Sequence, residues 1–220
     1  TDFNIPFELW HERLKDAPGK VVVIGGVEST ARPWISGTPV GNTMETLHGF
    51  AASSYHRGSH GVYLFNWMDA NDWPVPASDY QVLLRDGVSP RVVERAVRRH
   101  PVCFRDTVPE GFSRNEQLPA DARAGKTFRI HIGPKPSSGR VWGIAGLAKR
   151  DGLAEASFSA KLNGRALEAA EDLASTGEFG GDPARAIRFR CPLESVDLRQ
   201  TAGPVDQQIV WVELRVEPNN

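Results

Sequence analysis

The chain has 220 residues, with 26 basic and 27 acidic side chains and a formal net charge of −1. That length fits one large domain or two small ones. With charge so evenly balanced, no basic stripe stands out for phosphates to neutralise, which argues against a nucleic-acid partner. No apolar run approaches the roughly eighteen residues of a membrane span, so no membrane partner is expected. The opening "TDFNIPFELW" is acidic and amphipathic and does not read as a signal peptide. Either the protein is cytosolic or its leader lies outside this sequence, and the compartment stays open.

In chain order, "PFELWHERLKDA" at 6–17 sets Phe7, Leu9, Trp10 and Leu14 near one helical face, and Pro18-Gly19 stops it. "KVVVIGGVE" at 20–28 is short, apolar and β-branched, a run that suits a parallel strand covered on both faces. "NTMETLHGFAASSYHRG" at 42–58 predicts a helix capped by Asn42 or Thr43, with Met44, Leu47, Phe50 and Ala51 along one side. Gly58 ends it, and "HGVYLFNW" at 60–67 returns as a second buried strand. "SDYQVLLRDG" and "SPRVVERAVRRH" read as two further helices, each opened by a capping serine. The second holds the densest basic run, 91–100, read as a solvated helix face. Alternating strands and helices point to a parallel sheet with right-handed crossovers.

After "TVPEGFSRNEQLPADARAG", 107–125, the pattern changes. "KTFRIHIG", "RVWGIAGLA", "ASFSAKLNGRAL", "RAIRFRCPL" and "QQIVWVELRVEP" show partial period-two alternation with turn-forming edges, as expected of an antiparallel β-sandwich. In the last, Val210, Val212, Leu214 and Val216 form an apolar face that should point to the core. "LNGRAL" carries an Asn-Gly hairpin signal. "STGEFGGDPAR", 175–185, reads as a long surface loop. The expected domains are 1–114 and 115–220.

Two parallel strands and a few helices leave sheet edges open, and neither a dinucleotide fingerprint nor a P-loop follows the first strand. The stretch "HRGSHGVYLFNW", 56–67, resembles the final barrel strand of glycoside-hydrolase-like proteins, and "VVVIGGVES" resembles the strand before it. The resemblance implies an α/β plus all-β chain: the last βα units of a partial (β/α)₈ barrel, then a β-sandwich. It further implies that Glu28 stands where the family's nucleophilic glutamate stands, while the partner acid comes from a strand this chain lacks. Glycoside hydrolysis needs both carboxyls, about 5 Å apart in retaining enzymes.

Strand ends at a barrel mouth are where catalytic and binding groups sit, so Glu28 is the candidate catalytic residue. The alternative is that it is an ordinary loop carboxylate. Asn66 and Asp69 are candidates for sugar hydroxyls, and Trp34 and Trp67 for stacking on sugar rings, with Trp73 behind them. The same tryptophans would equally serve to plug a sheet end. No histidine or cysteine spacing suits a metal, and no cofactor is expected. Cys103 and Cys191 are either one disulfide or, preferably, buried free thiols.

Two functional readings follow. In one the chain is the C-terminal part of a glycoside hydrolase, acting on a carbohydrate but lacking the complete catalytic pair. In the other it is a non-catalytic glycan-binding or structural module, whose partners are a glycan, the missing part of the barrel or another copy of the chain.

Overall fold

The computed structural model describes residues 2–67, 76–112, 116–149, 151–152, 155–162, 165–167, 169–174, 178–191 and 195–219. The elements run α1 (Phe7–Leu14), β1 (Ile24–Glu28), β2 (Thr30–Ala31), β3 (Val40–Gly41), α2 (Met44–His56), β4 (Gly61–Phe65) and α3 (Ala77–Val82). A π-helical turn (Leu83–Gly87), α4 (Pro90–Val93) and β5 (Arg98–Pro101) follow. The remainder is strand: β6 (Ala120–Asp121), β7 (Lys126–Arg129), β8 (Gly139–Leu147), β9 (Ser157–Leu162), β10 (Arg165–Leu167), β11 (Ala169–Ala174), β12 (Arg185–Cys191), β13 (Ser195–Ala202) and β14 (Gln208–Pro218).

The strands from β7 onward build the expected sandwich. One sheet runs β10-β9-β13-β7 and the other β11-β12-β8-β14-β5, with β6 also on β14; every pairing in both is antiparallel. Phe128, Ala160 and Leu198 from the first sheet meet Val141, Phe189, Val212 and Leu214 from the second in a shared core. Val210, Val212, Leu214 and Val216 are all buried, as their alternation predicts. A register shift between Ile209 and Trp211 brings Ile209 into that core as well. Arg165 stands opposite Leu162, so residues 163 and 164, the expected Asn-Gly turn, close a hairpin but lie outside the described residues.

The other face of the second sheet is also covered. Ile144, Ala186 and Trp211 pack with Phe3, Phe7, Val27, Leu47 and Phe50 of the N-terminal half. Helix α2 is the middle of this layer. It opens on Thr43 in a capping box with Thr46 and buries Leu47, Phe50, Ala51 and Ala52. Gly49 lets it lie on β5, because a Cβ there would come within 2.0 Å of the Arg99 carbonyl oxygen. On the far side of α2, β1 and β4 pair in parallel from Ile24↔Gly61 to Glu28↔Phe65. Gly25 is pressed against Phe7 and Phe50, where a Cβ would meet the Phe7 ring at 2.8 Å.

The barrel expectation is overturned. The chain is mostly sheet, 33% strand against 20% helix, and among the described residues the parallel strands number two, joined by one helix. One crossover of this kind carries the same local pattern as a barrel's closing units. What differs is where the following segment goes. Instead of a solvated helix, "VERAVRRH" stops being α-helical at Val93, and Arg98, Arg99 and His100 form a buried antiparallel strand against β14. This pairing crosses the position near residue 114 where the two halves were expected to divide.

A second correction concerns residues 175–185. Within the part described, Phe179 is buried beside Trp211, at 6.3 Å between centroids, and beneath the Arg99 guanidinium, so this segment plugs the core rather than lying over it.

Charge inside this sheet is fully paired at one point. Arg99 Nη2 donates to Glu213 Oε2 at 2.8 Å and Nε to Oε1 at 3.0 Å; Trp211 Nε1 donates to Glu213 Oε2 at 3.0 Å, and Arg99 Nη2 to the Glu178 carbonyl at 3.1 Å. Removing one partner of such a buried pair leaves the other charge uncompensated. Glu213→Ala is therefore expected to lower unfolding free energy by about 3–5 kcal/mol in urea titrations. Arg99→Met with Glu213→Leu should cost clearly less than the two single changes added together. Simple additivity would show that the two side chains do not act as a pair.

Candidate functional site

The parallel pair brings Glu28 and Asn66 together at its C-terminal end. Glu28 closes β1 and is half-buried; Asn66 follows β4, and its Nδ2 lies 3.5 Å from Glu28 Oε1, the long limit of a hydrogen bond. Asn66 reaches there from a left-handed backbone, φ 57°, a conformation asparagine tolerates better than most residues. The Glu28 carbonyl is held from behind by Asn42 Nδ2 at 2.8 Å. Phe65 stands opposite Glu28 and Tyr63 opposite Gly26, so both rings share the face of the sheet that carries the carboxylate. Their centroids are 6.2 Å apart.

That face is open. Ile24 is 54%, Tyr63 59% and Phe65 48% exposed, whereas Gly25 and Val27 on the other side are buried against α2 and α1. The strands are thus covered on one face, not on both as the continuous apolar runs suggested. Tyr63 and Phe65 were missed as site residues for that reason. Their i, i+2 spacing was the available signal, once one face was allowed to be free.

The tryptophans sort differently. Trp67 is buried, and its Nε1 donates to the Val27 carbonyl at 3.1 Å, fixing the end of β1 from inside. With its ring in the core it positions the site and offers no face to a sugar. Trp34 packs against the sandwich core and lies over Gly37 and Gly181, where added Cβ atoms would meet its ring at 2.8 and 2.9 Å. Of the expected constellation the structure joins Glu28 and Asn66. Asp69 and Trp73 lie outside the described residues.

A second polar cluster lies inside the protein, around a cavity of about 20 Å³ lined in part by Asp2, His100, Cys103 and Arg105. The Cys103 thiol is free, and burial pushes its pKa up, keeping it protonated and unreactive. Burial, helped by the charge of Arg98, lowers His100 from 6.5 to about 3. Burial raises Asp2 from 3.8 to about 6, against the pull of the Asn4 N–H and of Arg105 at 3.8 Å.

These two groups tilt stability in opposite directions. The His100 contribution is complete above pH 6.5 and is lost as pH falls toward 3, because the unfolded chain takes the proton first. The Asp2 contribution is complete below pH 3.8 and is lost as pH rises through 6. Asp2→Asn is thus expected to raise stability at pH 7 and to steepen its fall between pH 6 and 4, measured as urea midpoints. A variant whose pH profile runs parallel to wild type would contradict this.

Among the described residues no three His, Cys, Asp or Glu side chains gather to hold a metal ion, and no helix is long and apolar enough to cross a membrane. No family model matches the sequence, and no curated protein matches it either.

Proposed function

We propose that the Glu28 end of the parallel pair is a carbohydrate site and that the chain is part of a glycoside-hydrolase-like protein. The observation that carries this reading is one arrangement: a carboxylate and an amide at adjacent strand ends, 3.5 Å apart, beside two exposed rings on the same face. Pyranose rings present C–H faces that stack on aromatic side chains, and their hydroxyls bond to carboxylates and amides. Asn66 orients Glu28 and binds a hydroxyl. Glu28 is the carboxylate that would attack or stabilise the anomeric carbon.

Hydrolysis takes two carboxyls, and this reading gives the chain one. It therefore expects glycan binding without turnover by the 220 residues alone. In titrations against a panel of neutral oligosaccharides, Phe65→Ala should weaken binding about tenfold, the scale of a lost stacking contact. Glu28→Gln should retain binding, since shape and hydrogen-bonding capacity survive. In a protein carrying the complete pair, Glu28→Gln should lower turnover by several orders of magnitude. Hydrolysis of aryl glycosides by this chain would refute the one-carboxylate reading, and binding indifferent to Phe65 would refute the site.

A second reading rests on a separate observation. Val22, Ile24, Tyr63 and Phe65 form an exposed apolar face, and among the described residues neither outer edge of the β1–β4 pair meets another strand. On this reading the face is an interaction surface for a second copy of the chain, which a two-fold axis would bring onto the same patch. Light scattering across a concentration series decides it. A dimer that Ile24→Ser with Phe65→Ser dissociates supports the interaction module, and a monomer at all concentrations excludes it.

A further inference from the structure

The outer face of the four-stranded sheet carries a groove of about 690 Å³, remote in sequence from Glu28. Four cations line it: Arg123, Lys126, Lys161 and Arg199. Arg123 is fixed by Asp206, Nε to Oδ1 at 2.8 Å, and by the Gly203 carbonyl. Arg199 is fixed too. Its stem lies along Gly125, where a Cβ would sit 3.4 Å from three of its carbons, and its Nε donates to the Arg123 carbonyl at 3.0 Å. Gly125 has φ 75°, so the turn that makes this contact favours glycine.

Only Arg123 is charge-paired. Among the described residues no carboxylate forms an ion pair with Lys126, Lys161 or Arg199. In a chain of net charge −1, three unpaired cations in one groove are a local excess that the fold does not use. Thr127, Ser159 and Thr201 line the same groove with hydroxyls. The strand register accounts for the grouping: Thr127 and Lys161 both stand opposite Asp197, and Ser159 stands opposite Arg199, so these positions share the outward face while Leu198 and Ala160 point into the core.

We infer that this groove binds an acidic polysaccharide, a polyuronate chain whose carboxylates meet Lys126, Lys161 and Arg199 while its hydroxyls bond to Thr127, Ser159 and Thr201. The inference rests on the carbohydrate reading above and names its ligand class. Single-stranded nucleic acid calls for aromatic platforms on which bases stack, and no aromatic side chain lines the groove. A sugar acid needs spaced cations and hydroxyl partners, which are what the lining supplies.

Affinity electrophoresis through gels containing polygalacturonate, or the neutral polymer hydroxyethylcellulose, tests it, with oligo(dT) as a competitor. Wild type should be retarded by polygalacturonate and much less by the neutral polymer, with retardation falling as salt rises from low to physiological strength. Lys126→Ala with Lys161→Ala, both exposed and so neutral to folding, should weaken the retardation about tenfold. Lys161→Arg should restore most of it. Equal retardation by both polymers, an unchanged double-lysine variant, or oligo(dT) bound more tightly than polygalacturonate would each overturn the assignment. Phe65→Ala separates this result from the strand-end reading. If Phe65→Ala abolishes retardation and the lysine variants do not, glycan binds at the Glu28 end and the groove assignment falls. If only the lysine variants matter, the groove stands without that site.

Discussion

The Arg99–Glu213 pair is the point on which the rest of the molecule is built. Arg99 lies on β5 and Glu213 on β14, 114 residues apart, and both are nearly inaccessible to water. Taking two charges out of water costs several kcal/mol per ion unless every lone pair and proton finds a partner. Here Trp211 and the Glu178 carbonyl complete the set. The consequence is geometric. With β5 fixed at the edge of the six-stranded sheet, its backbone becomes the floor for α2, which approaches at Gly49 because no side chain intervenes. The β1–β4 pair then rests on the other side of that helix. Glu28 owes its position to a chain of contacts that ends at Glu213.

That dependence explains which parts of the structure could be read from the sequence. Helix α2 was legible because its determinants are local: a capping threonine, an apolar stripe and Gly58 after its last turn. The parallel register of β1 and β4 was legible for a related reason, since a short helical crossover between two β-branched runs permits little else. Strand β5 was not. "VERAVRRH" carries helical spacing and solvated-looking charge, and the interactions that make it a buried strand come from the far end of the chain. Arg98 is held by the carbonyls of Ile132 and Pro134, and Arg99 by Glu213. A sheet's strand count is likewise non-local, so one βα unit could not be told from the end of a barrel. Phe179 shows the same limit in a loop, where glycines and charge suggest surface while one aromatic side chain fills the core.

The candidate site follows the same division. Glu28 and Asn66 were found because strand ends are readable and short polar side chains after apolar runs mark them. Trp67 was assigned to substrate because a tryptophan after a strand looks available. Its indole N–H is instead taken by Val27, and the ring is buried. Tyr63 and Phe65 were passed over because an unbroken apolar run implies cover on both sides. Burial, not residue type, separates the two cases, and burial is decided by which elements arrive on each face.

Two surfaces of different chemistry result. The strand-end face offers rings, one carboxylate and one amide, so its attraction for a ligand comes from apolar contact and short-range hydrogen bonds that salt barely screens. The groove on the four-stranded sheet offers fixed guanidinium groups and free ammonium groups without rings, and its attraction is coulombic and falls with ionic strength. They also lie on different layers, the parallel pair above α2 and the groove on the outermost sheet, separated by the six-stranded sheet. A polymer long enough to meet both would be held along its length by the groove while a single residue rested against Tyr63 and Phe65. Binding at two such places raises effective concentration only if the span fits the polymer. Chain length of the ligand, rather than the identity of its terminal sugar, is then the variable to which combined binding responds most.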